Sequence, residues 1–327
     1  ITTKKIVLVT KSTVPVGTAK KIEDIIKKFN KQHLISVASN PEFLREGSAI
    51  KDFLGPDRVV IGTNDNYSKE LLNKLYKPLN SLKVPIVNTD TETSELIKYA
   101  SNSFLATKIT FINEIALYCK RTGTNINDVS KAMGLDKRIG SKFLESGPGY
   151  GGSCFPKDTL AMSRIFRDRK IKFNIVDTVI KTNDKIKESL AKNILSIVKT
   201  NKVKRILFLG LSFKPETDDI RESSSIFIIN YLLKKNKNLI LSAHDPVAIP
   251  NCKKEKLKVH YHEDLKKSYK KQDMIVIATE WNIYRSINFV SLYNEMSSHV
   301  IYDLRNIYAG NKEILKLGFK YHSISSK

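Results

Sequence analysis

The feature that most constrains this chain is a long stretch, Thr91 to Lys120, that contains neither glycine nor proline. Apolar residues recur along it at the three- and four-residue spacing of an amphipathic helix, which predicts one long helix. On either side, short apolar runs of strand length alternate with helical patterns. The sequence therefore predicts an α/β protein in which two α/β regions flank a helical centre.

The first α/β region shows four strand-like runs. The predicted strands are 5–10, 34–39, 57–62 and 85–89, and the predicted helices are 19–29 and 68–76. Two carboxylates and an arginine follow the second strand, within Asn40 to Gly47. Open α/β sheets bind ligands at the carboxyl ends of their strands, so this segment is a candidate for ligand contact.

The second α/β region begins near Val203, where a fully apolar strand follows a long helical stretch. Its predicted strands are 205–211, 239–243, 258–260, 274–279, 300–302 and 319–322, and its first helix is 222–233. The predicted helices of the centre, after the long one, are 127–133, 158–166 and 176–200. We expect two Rossmann-like parallel-sheet domains, the first incomplete, joined by a long central helix and a helical region. The expected domains are 1–90, 91–200 and 201–327.

Bulk composition narrows the class of protein. Apolar residues make up 41% of the 327 residues, which is ample for globular cores, and we expect neither a membrane-spanning helix nor a signal peptide. The three cysteines are an odd number without metal-like spacing, so we expect reduced thiols and no zinc site or disulfide scaffold. These features indicate a cytoplasmic protein.

The formal charge of +23 raises the question of a nucleic acid or an anionic membrane as partner. Lysines are scattered along every helix, with no arginine-rich arm or basic stripe interleaved with aromatics. We therefore expect neither partner. The charge should instead help to attract a phosphorylated substrate.

The segment Gly147 to Asp158 reads Gly-Pro-Gly-Tyr-Gly-Gly-Ser-Cys-Phe-Pro-Lys-Asp. Glycines let a ligand approach the backbone closely, and Pro156 suits a first helical position, so Cys154 is predicted just ahead of a helix N-terminus. Together with the nearby Lys157, that position favours the thiolate, which attacks carbonyl carbon. The alternative is a cysteine that merely fills a turn.

Several segments together resemble the UDP-glucose 6-dehydrogenase family, in the wider group of nucleotide-sugar dehydrogenases, over nearly the whole chain. The matching segments are 12–18, 40–47, 95–106, 138–140, 147–158, 208–225 and 302–305. The resemblance implies that a sugar's primary alcohol is oxidised twice, to aldehyde and then to acid, while two NAD molecules are reduced in succession.

By similarity, Cys154 adds to the aldehyde as a thiohemiacetal, becomes a thioester, and is released by water. The resemblance gives Lys98 and Asn102 the task of stabilising the developing oxyanion. It assigns proton transfer through a water to Asp158. The positioning or activation of that water is assigned to Thr13 and Glu42.

The family pattern also implies binding residues. Around the nucleotide sugar it places Phe43, Leu44, Arg45, Glu46, Lys98, Asn102, Arg138, Tyr150, Gly151, Phe213, Lys214 and Arg305. Near the NAD cofactor it places Thr13, Glu46, Cys154, Lys157 and Arg221. Because such enzymes present the Arg138 equivalent to a neighbouring subunit, a homodimer or higher homo-oligomer through the long helix is implied.

The chain departs from the family at one point. Members begin with a βαβ unit that carries a Gly-x-Gly-x-x-Gly fingerprint for the NAD pyrophosphate, and neither α/β region here contains it. We therefore expect an N-terminally truncated chain that keeps the substrate half and the nucleophile, with NAD-dependent activity belonging to the intact parent.

Three alternatives remain open from the sequence. A sister enzyme would act on UDP-N-acetylmannosamine or GDP-mannose, although Arg138-Ile139-Gly140 followed by Lys142-Phe143-Leu144 favours UDP-glucose. A non-catalytic nucleotide-sugar-binding fragment would retain affinity for UDP without chemistry. A basic nucleic-acid-binding protein is the third alternative.

Overall fold

The structure is a computed structural model that describes residues 4–325. The chain divides into two compact units. Unit 1 holds the described residues up to Phe104 together with Asp158–Phe173, and unit 2 holds Leu105–Lys157 together with the described residues from Asn174 onward. Along residues 4–325 no helix is both long and apolar enough to cross a membrane.

Unit 1 contains a four-stranded sheet in the order β1-β2-β3-β4. Its strands are β1 (Ile6–Thr10), β2 (Ile35–Ser39), β3 (Val59–Thr63) and β4 (Ile86–Thr89). The helices between them are α1 (Thr18–Lys28), α2 (Ala49–Leu54) and α3 (Asn66–Leu75), followed by a 3₁₀ turn at Lys77–Leu82. All four predicted strands of the first region are present, each within two residues of its predicted bounds.

One pair of strands in this sheet departs from the predicted parallel arrangement. β1–β2 and β3–β4 are parallel, but β2 and β3 pair antiparallel through Ala38 with Thr63 and Ser39 with Gly62. The segment between β2 and β3 carries only α2, six residues long, where the other two connections carry helices of ten or more. A parallel crossover usually needs a full helix, and this short connection returns the chain in the opposite direction.

The predicted long helix is α4 (Thr91–Thr122), of 32 residues. Asp90 caps its start, because its carboxylate accepts hydrogen bonds from the backbone N–H and the hydroxyl of Thr93, and these bonds lower the pKa of Asp90. Gly123 ends it with a positive φ of 80° and a hydrogen bond back to Cys119. The glycine-free stretch and its boundary residues therefore account for the length of the helix.

Unit 2 contains a six-stranded sheet in the order β10-β9-β8-β5-β6-β7, with every pair parallel as predicted. Its strands are β5 (Arg205–Leu209), β6 (Ile240–His244), β7 (His260–His262), β8 (Met274–Ile277), β9 (Val300–Asp303) and β10 (Lys320–Ser323). Numbered from β5, this is the 3-2-1-4-5-6 order of a Rossmann sheet, whose chain direction switches between β5 and β8. β7 lies two residues later than predicted.

Helices cover both faces of the six-stranded sheet. They include the second half of α4, then α5 (Ile126–Leu135), α7 (Asn174–Asn201), α8 (Ser224–Lys235), α9 (Ile249–Lys254), α10 (Leu265–Ser268), α11 (Phe289–Glu295) and α12 (Lys312–Lys316). Alternate residues of β5 enter two separate cores: Phe208 packs in the larger one with residues of α4, α7 and α8, and Leu209 packs in the other with Trp281 and Tyr284. Burial on both faces explains why these strands are continuous apolar runs.

Candidate active site

Lys98, on the first half of α4, is buried in unit 1 with 3% of its surface exposed. Its ammonium donates to the Glu42 carbonyl oxygen at 2.6 Å and lies 3.3 Å from the Glu42 carboxylate. It also lies 5.2 Å from the centre of the Phe43 ring. An ammonium has three donors, so this cation has the capacity to bind one further oxygen.

Asn102 lies one helical turn after Lys98 and donates from Nδ2 to the Asp158 carboxylate at 2.6 Å. Asp158 belongs to α6 (Phe155–Asp168) and is fully buried. Tyr99 is 3% exposed beside them, and burial, aided by the charge of Asp158, raises the pKa of its phenol to about 12. The Tyr99 hydroxyl therefore stays protonated at neutral pH.

Glu95 is a residue that the sequence did not single out. Its carboxylate accepts the backbone N–H of Gly17 at 2.6 Å and of Ala19 at 2.8 Å, so it caps the start of α1 from a distant part of the chain. Burial raises the pKa of Glu95, although the two N–H donors oppose the shift. The same loop holds Thr13, which is half-buried and whose hydroxyl has no hydrogen-bond partner within residues 4–325.

The segment after β2 uses several of its own polar groups internally. The Leu44 N–H donates to the Glu42 carboxylate at 2.6 Å, so both carboxylate oxygens of Glu42 have a partner. The Arg58 guanidinium stacks on the Phe43 ring at 3.7 Å. The Phe43 ring thus contacts two cations, Arg58 and Lys98.

Arg45 is exposed, and its guanidinium binds Asp52 in a bidentate pair at 3.0 and 2.6 Å. This pair lowers the pKa of the Asp52 carboxyl. Glu46 is half-buried in the same segment. The Arg45 backbone is also engaged, because its N–H donates to the Asp52 carboxylate at 2.9 Å and its carbonyl accepts the Ser48 N–H at 3.1 Å.

In unit 2, Cys154 is half-buried and directly precedes α6, as the loop sequence predicts. α6 begins at Phe155, so Pro156 occupies the second helical position and the predicted first position is wrong by one residue. The Ser153 hydroxyl lies 3.6 Å from the Cys154 sulfur. At the other end of the loop, the Gly147 N–H donates to Asn113 of α4 at 2.7 Å.

The middle of the glycine loop lies against α7. Asn183 accepts the Tyr150 N–H at 2.9 Å and donates to the Tyr150 carbonyl at 3.1 Å. Gly149 has a φ of 98°, and a Cβ added there would lie 2.6 Å from the Asn183 side-chain oxygen. Glycine is therefore required at 149 both by its torsion and by the closeness of the helix.

The end of the loop lies against the turn that precedes α8. The Gly152 N–H donates to the Arg221 carbonyl at 2.9 Å, and a Cβ on Gly151 would lie 2.4 Å from the Glu222 carbonyl oxygen. A Cβ on Gly152 would lie 2.7 Å from the Phe213 ring. The glycines thus bring the cysteine loop into direct contact with the carboxyl end of the six-stranded sheet.

Arg305 lies at the switch point of that sheet, where ligands bind in Rossmann folds. It donates to the Ala278 carbonyl at 2.9 Å and the Phe213 carbonyl at 3.0 Å, and pairs with Glu280 at 3.0 Å. The half-buried Lys214 lies 5.6 Å from the Phe213 ring centre. The structure therefore brings together three predicted substrate residues, Phe213, Lys214 and Arg305, after β5 and β9.

Asp245, at the end of β6, was also missed by the sequence reasoning. One of its carboxylate oxygens accepts the N–H groups of Leu211 and Ser212 at 2.7 and 3.1 Å, and the other accepts those of Val247 and Ala248. In a dinucleotide-binding Rossmann domain, an acidic residue in this region binds a ribose. Here the carboxylate is used to order the loop after β5.

Three predicted residues lie at the surface of unit 2. The Arg138 side chain is 88% exposed and pairs with Asp136 at 2.6 Å, whereas Arg221 is 65% exposed and pairs with Asp219 at 2.8 Å. Lys157 is exposed at the start of α6. Within residues 4–325, no three His, Cys, Asp or Glu side chains are grouped as a metal site.

Three family descriptions match the chain in consecutive segments. They are the NAD binding domain (residues 1–80), the central domain (92–185) and the UDP binding domain (207–310) of the UDP-glucose/GDP-mannose dehydrogenase family. UDP-glucose 6-dehydrogenase from Rickettsia conorii is 46% identical over 327 residues, covering 99% of this chain and 74% of that protein. The Rhizobium meliloti enzyme of that name is 44% identical over 321 residues, covering 97% and 73%.

Solved structures agree with the sequence matches. A UDP-glucose dehydrogenase from Pyrobaculum islandicum aligns with a TM-score of 0.88 at 34% identity, covering 99% of this chain and 72% of that one. A UDP-D-ManNAc dehydrogenase from Pyrococcus horikoshii shares the fold, with a TM-score of 0.80 at 24% identity over 98% of this chain and 72% of that one. From the extent and identity of these matches, the chain belongs to the UDP-glucose/GDP-mannose dehydrogenase family.

Proposed function

We propose that this protein takes part in the NAD-dependent, two-step oxidation of UDP-glucose to UDP-glucuronate. The observation that carries the proposal is the position of Cys154, a half-buried thiol directly before a helix, on a glycine loop that packs against Phe213 at the sheet's ligand-binding edge. The relatives named UDP-glucose 6-dehydrogenase support UDP-glucose as the substrate.

The proposed reaction consists of two oxidations followed by one hydrolysis. A bound NAD would supply the hydride acceptor for each oxidation at C6 of the sugar. Between them, the Cys154 sulfur bonds to the aldehyde carbon to give a thiohemiacetal, whose oxidation leaves a thioester. Water then cleaves the C–S bond, which releases the carboxylate and restores the thiol.

Lys98 and Asn102 have the chemistry to bind the oxygen at C6 during these steps. Within residues 4–325, the Lys98 ammonium donates only to Glu42, and the Asn102 amide has a second N–H besides the one bound to Asp158. Both side chains are buried, so their donors act with little competition from water. We assign proton transfer through a water to Asp158, which is buried beside them.

Glu42 and Thr13 are proposed to position the hydrolytic water. The Glu42 carboxylate is already bound by Lys98 and the Leu44 N–H, which suits an orienting role more than that of a strong base. The Thr13 hydroxyl has no hydrogen-bond partner among the described residues 4–325, so it can both donate to and accept from a water. We assign Glu46 to contacts with substrate and cofactor.

The UDP part of the substrate is proposed to bind at the switch point in unit 2. Lys214 supplies charge for the diphosphate, and Arg305 orders the loops that frame it. Tyr150 and Gly151 supply backbone from the glycine loop. We further propose that the backbone of Phe43, Leu44 and Arg45 contacts the same substrate.

The described residues fit NAD only in part. The first helix that follows a strand, α1, has two of its N-terminal N–H groups bound by Glu95, so this anion-binding position is already occupied. Gly147, Gly149 and Gly152 have the fingerprint spacing but follow no strand. Thr13, Glu46, Lys157 and Arg221 are therefore proposed as NAD contacts without a pyrophosphate cradle, and we expect the 327-residue chain to bind NAD weakly. Titration calorimetry tests this, since micromolar affinity contradicts it.

The test of the catalytic proposal is Cys154→Ala in the polypeptide encoded by the whole reading frame. The parent should form two NADH per UDP-glucose, and the variant at most one, because the thioester cannot form. Replacing the buried Cys119 with serine is the control and should retain a yield of two. An unchanged yield in Cys154→Ala contradicts the proposal. Preference for UDP-N-acetylmannosamine or GDP-mannose in the same assay contradicts the choice of substrate.

We also propose that α4 forms a homodimer interface with a second copy of the chain. Phe104, Phe111 and Tyr118 recur every seven residues along it and are 66%, 48% and 64% exposed. Two copies of α4 can pack together through this apolar stripe. The exposed Arg138 would then be available to the active site of the neighbouring subunit. Light scattering should show that Phe111→Glu halves the mass, whereas Phe29→Glu, at an exposed position outside the stripe, does not.

We propose that three segments of the chain form domains with different functions. Residues 1–90 contribute to the NAD-binding part, 91–200 supply the dimer helix and the cysteine loop, and 201–327 bind UDP. The matches at 1–80, 92–185 and 207–310 support this division.

A further inference from the structure

A buried lysine lies behind the glycine loop. Lys187, on α7, is 3% exposed, and its ammonium makes one hydrogen bond within residues 4–325, to the Glu222 carbonyl oxygen at 3.2 Å. Burial lowers the pKa of Lys187, while the charges of Glu222 and Asp184 oppose the shift. A buried lysine with one acceptor destabilises the fold relative to an apolar side chain of the same length.

The carbonyl that Lys187 binds belongs to a constrained turn. Glu222 has a φ of 52°, in the left-handed region that side chains other than glycine rarely occupy. This turn receives the end of the glycine loop through the hydrogen bond from Gly152 to the Arg221 carbonyl and the close approach of Gly151 to the Glu222 oxygen. Movement of the Glu222 carbonyl therefore moves the loop two residues before Cys154.

Asn183 lies one turn before Lys187 on α7 and binds both backbone groups of Tyr150. Residues four apart share a helix face, so the two side chains hold the loop at successive points. Asn183 contacts the loop directly, whereas Lys187 acts through the turn at Glu222. Together they tie the loop to a helix whose buried residues, including Leu190 and Ile194, belong to the main core of unit 2.

We infer that Lys187 and Asn183 are positioning residues that set the placement of the glycine loop and thereby the reactivity of Cys154. The inference rests on the proposed role of Cys154 as nucleophile. Neither side chain has to touch substrate. The fold itself does not require an ammonium at 187, and the Glu222 carbonyl does require a donor.

The experiment measures alkylation of Cys154 by iodoacetamide, followed by peptide mass mapping, in Lys187→Met, Lys187→Gln and Lys185→Met. Cys119 and Cys252 are buried, so Cys154 is the accessible thiol. Methionine keeps the length without a donor, and the glutamine amide restores one. Lys185 is exposed on the same helix and serves as the control.

We expect Lys187→Met to change the alkylation rate by about fivefold or more, the equivalent of one lost buried hydrogen bond. Lys187→Gln should stay within about twofold of the parent, and Lys185→Met should not differ from it. Circular dichroism establishes that each variant is folded. If Lys187→Met does not fold, Asn183→Leu replaces it in the experiment. This variant removes both hydrogen bonds to Tyr150, and we expect the same change in the alkylation rate.

An unchanged rate in a folded Lys187→Met, or an equal change in Lys187→Gln, overturns the inference. The alkylation readout needs no NAD, so it separates this inference from the proposed function. If the rate responds as expected while the intact protein fails to oxidise UDP-glucose, the proposed function is wrong and the positioning role still holds. In an active protein, kcat should fall in Lys187→Met and recover in Lys187→Gln.

Discussion

At the scale of single residues, Arg305 shows how one side chain orders a ligand-binding edge. Its planar guanidinium donates in two directions at once, to the carbonyls of Ala278 and Phe213, and it pairs with Glu280. The first of these carbonyls follows β8 and the second follows β5. Arg305 therefore holds together the two loops at the point where the chain direction of the sheet switches.

Arg305→Lys should weaken UDP binding about ten- to hundredfold, because a lysine cannot reproduce the two-directional fork and two charge-assisted hydrogen bonds are lost or weakened. Calorimetry with UDP alone measures this without NAD. Arg285→Lys is the matched control, since Arg285 is exposed. Equal affinity in Arg305→Lys and the parent would show that the loops do not need this bridge.

At the scale of elements, the first half of α4 owes its position to a close approach to the sheet of unit 1. A Cβ on Gly62 of β3 would lie 2.3 Å from the Ser94 Cβ and 2.8 Å from the Asp90 carbonyl. The approach brings the helix turn that carries Lys98 and Asn102 to the carboxyl end of β2. Packing at one glycine thus determines where two proposed catalytic side chains lie.

Gly62→Ala should therefore destabilise the protein by about 1–3 kcal/mol, the usual cost of overpacking a core. Urea unfolding measures the loss. Gly55→Ala is the control, because its Cβ would meet only the Lys51 carbonyl at 3.8 Å and its φ is −140°. Equal stability of Gly62→Ala and Gly55→Ala would contradict this prediction. It would mean that α4 can move away from the sheet at little cost and that the distance between Lys98 and Glu42 is not fixed by this packing.

At the scale of the whole molecule, partly buried histidines make stability depend on pH. Burial lowers the pKa of His244, His262 and His322 below 6.5. The folded state therefore favours their neutral forms. Their contribution to stability is complete above pH 6.5 and is lost as the pH falls from 6.5 through the lower folded-state pKa values.

We expect the free energy of unfolding to decrease as the pH is lowered below 6.5. Urea titrations at several pH values measure this decrease. His244, bound to Tyr284 at 2.7 Å, is the most deeply buried of the three, so His244→Gln should flatten the slope. His33→Gln, at an exposed position, should leave it unchanged. If the unfolding free energy depends on pH equally in His244→Gln and the parent, groups other than His244 cause the pH dependence.

The ten strands within residues 4–325, the long helix and the position of Cys154 before α6 are predictable from the amino-acid sequence alone. Apolar runs mark the strands because both faces of the second sheet are buried, and Asp90 and Gly123 bound α4 through local capping chemistry. The position of Cys154 before α6 follows from neighbouring residues alone. The bounds of α4 and the position of Cys154 depend on interactions that are local in sequence, whereas the strands are recognisable because burial requires continuous apolar runs.

Contacts between groups that are distant in the sequence depend on the tertiary packing. A single lysine on a helix usually faces solvent, and nothing near Lys187 in the sequence marks it as buried against Glu222. Likewise, Glu95 of α4 binds the start of α1 across 76 residues, and Asp245 after β6 binds the loop after β5 across 34 residues. The antiparallel pairing of β2 with β3 belongs to the same class, since strand direction depends on how the whole connection packs.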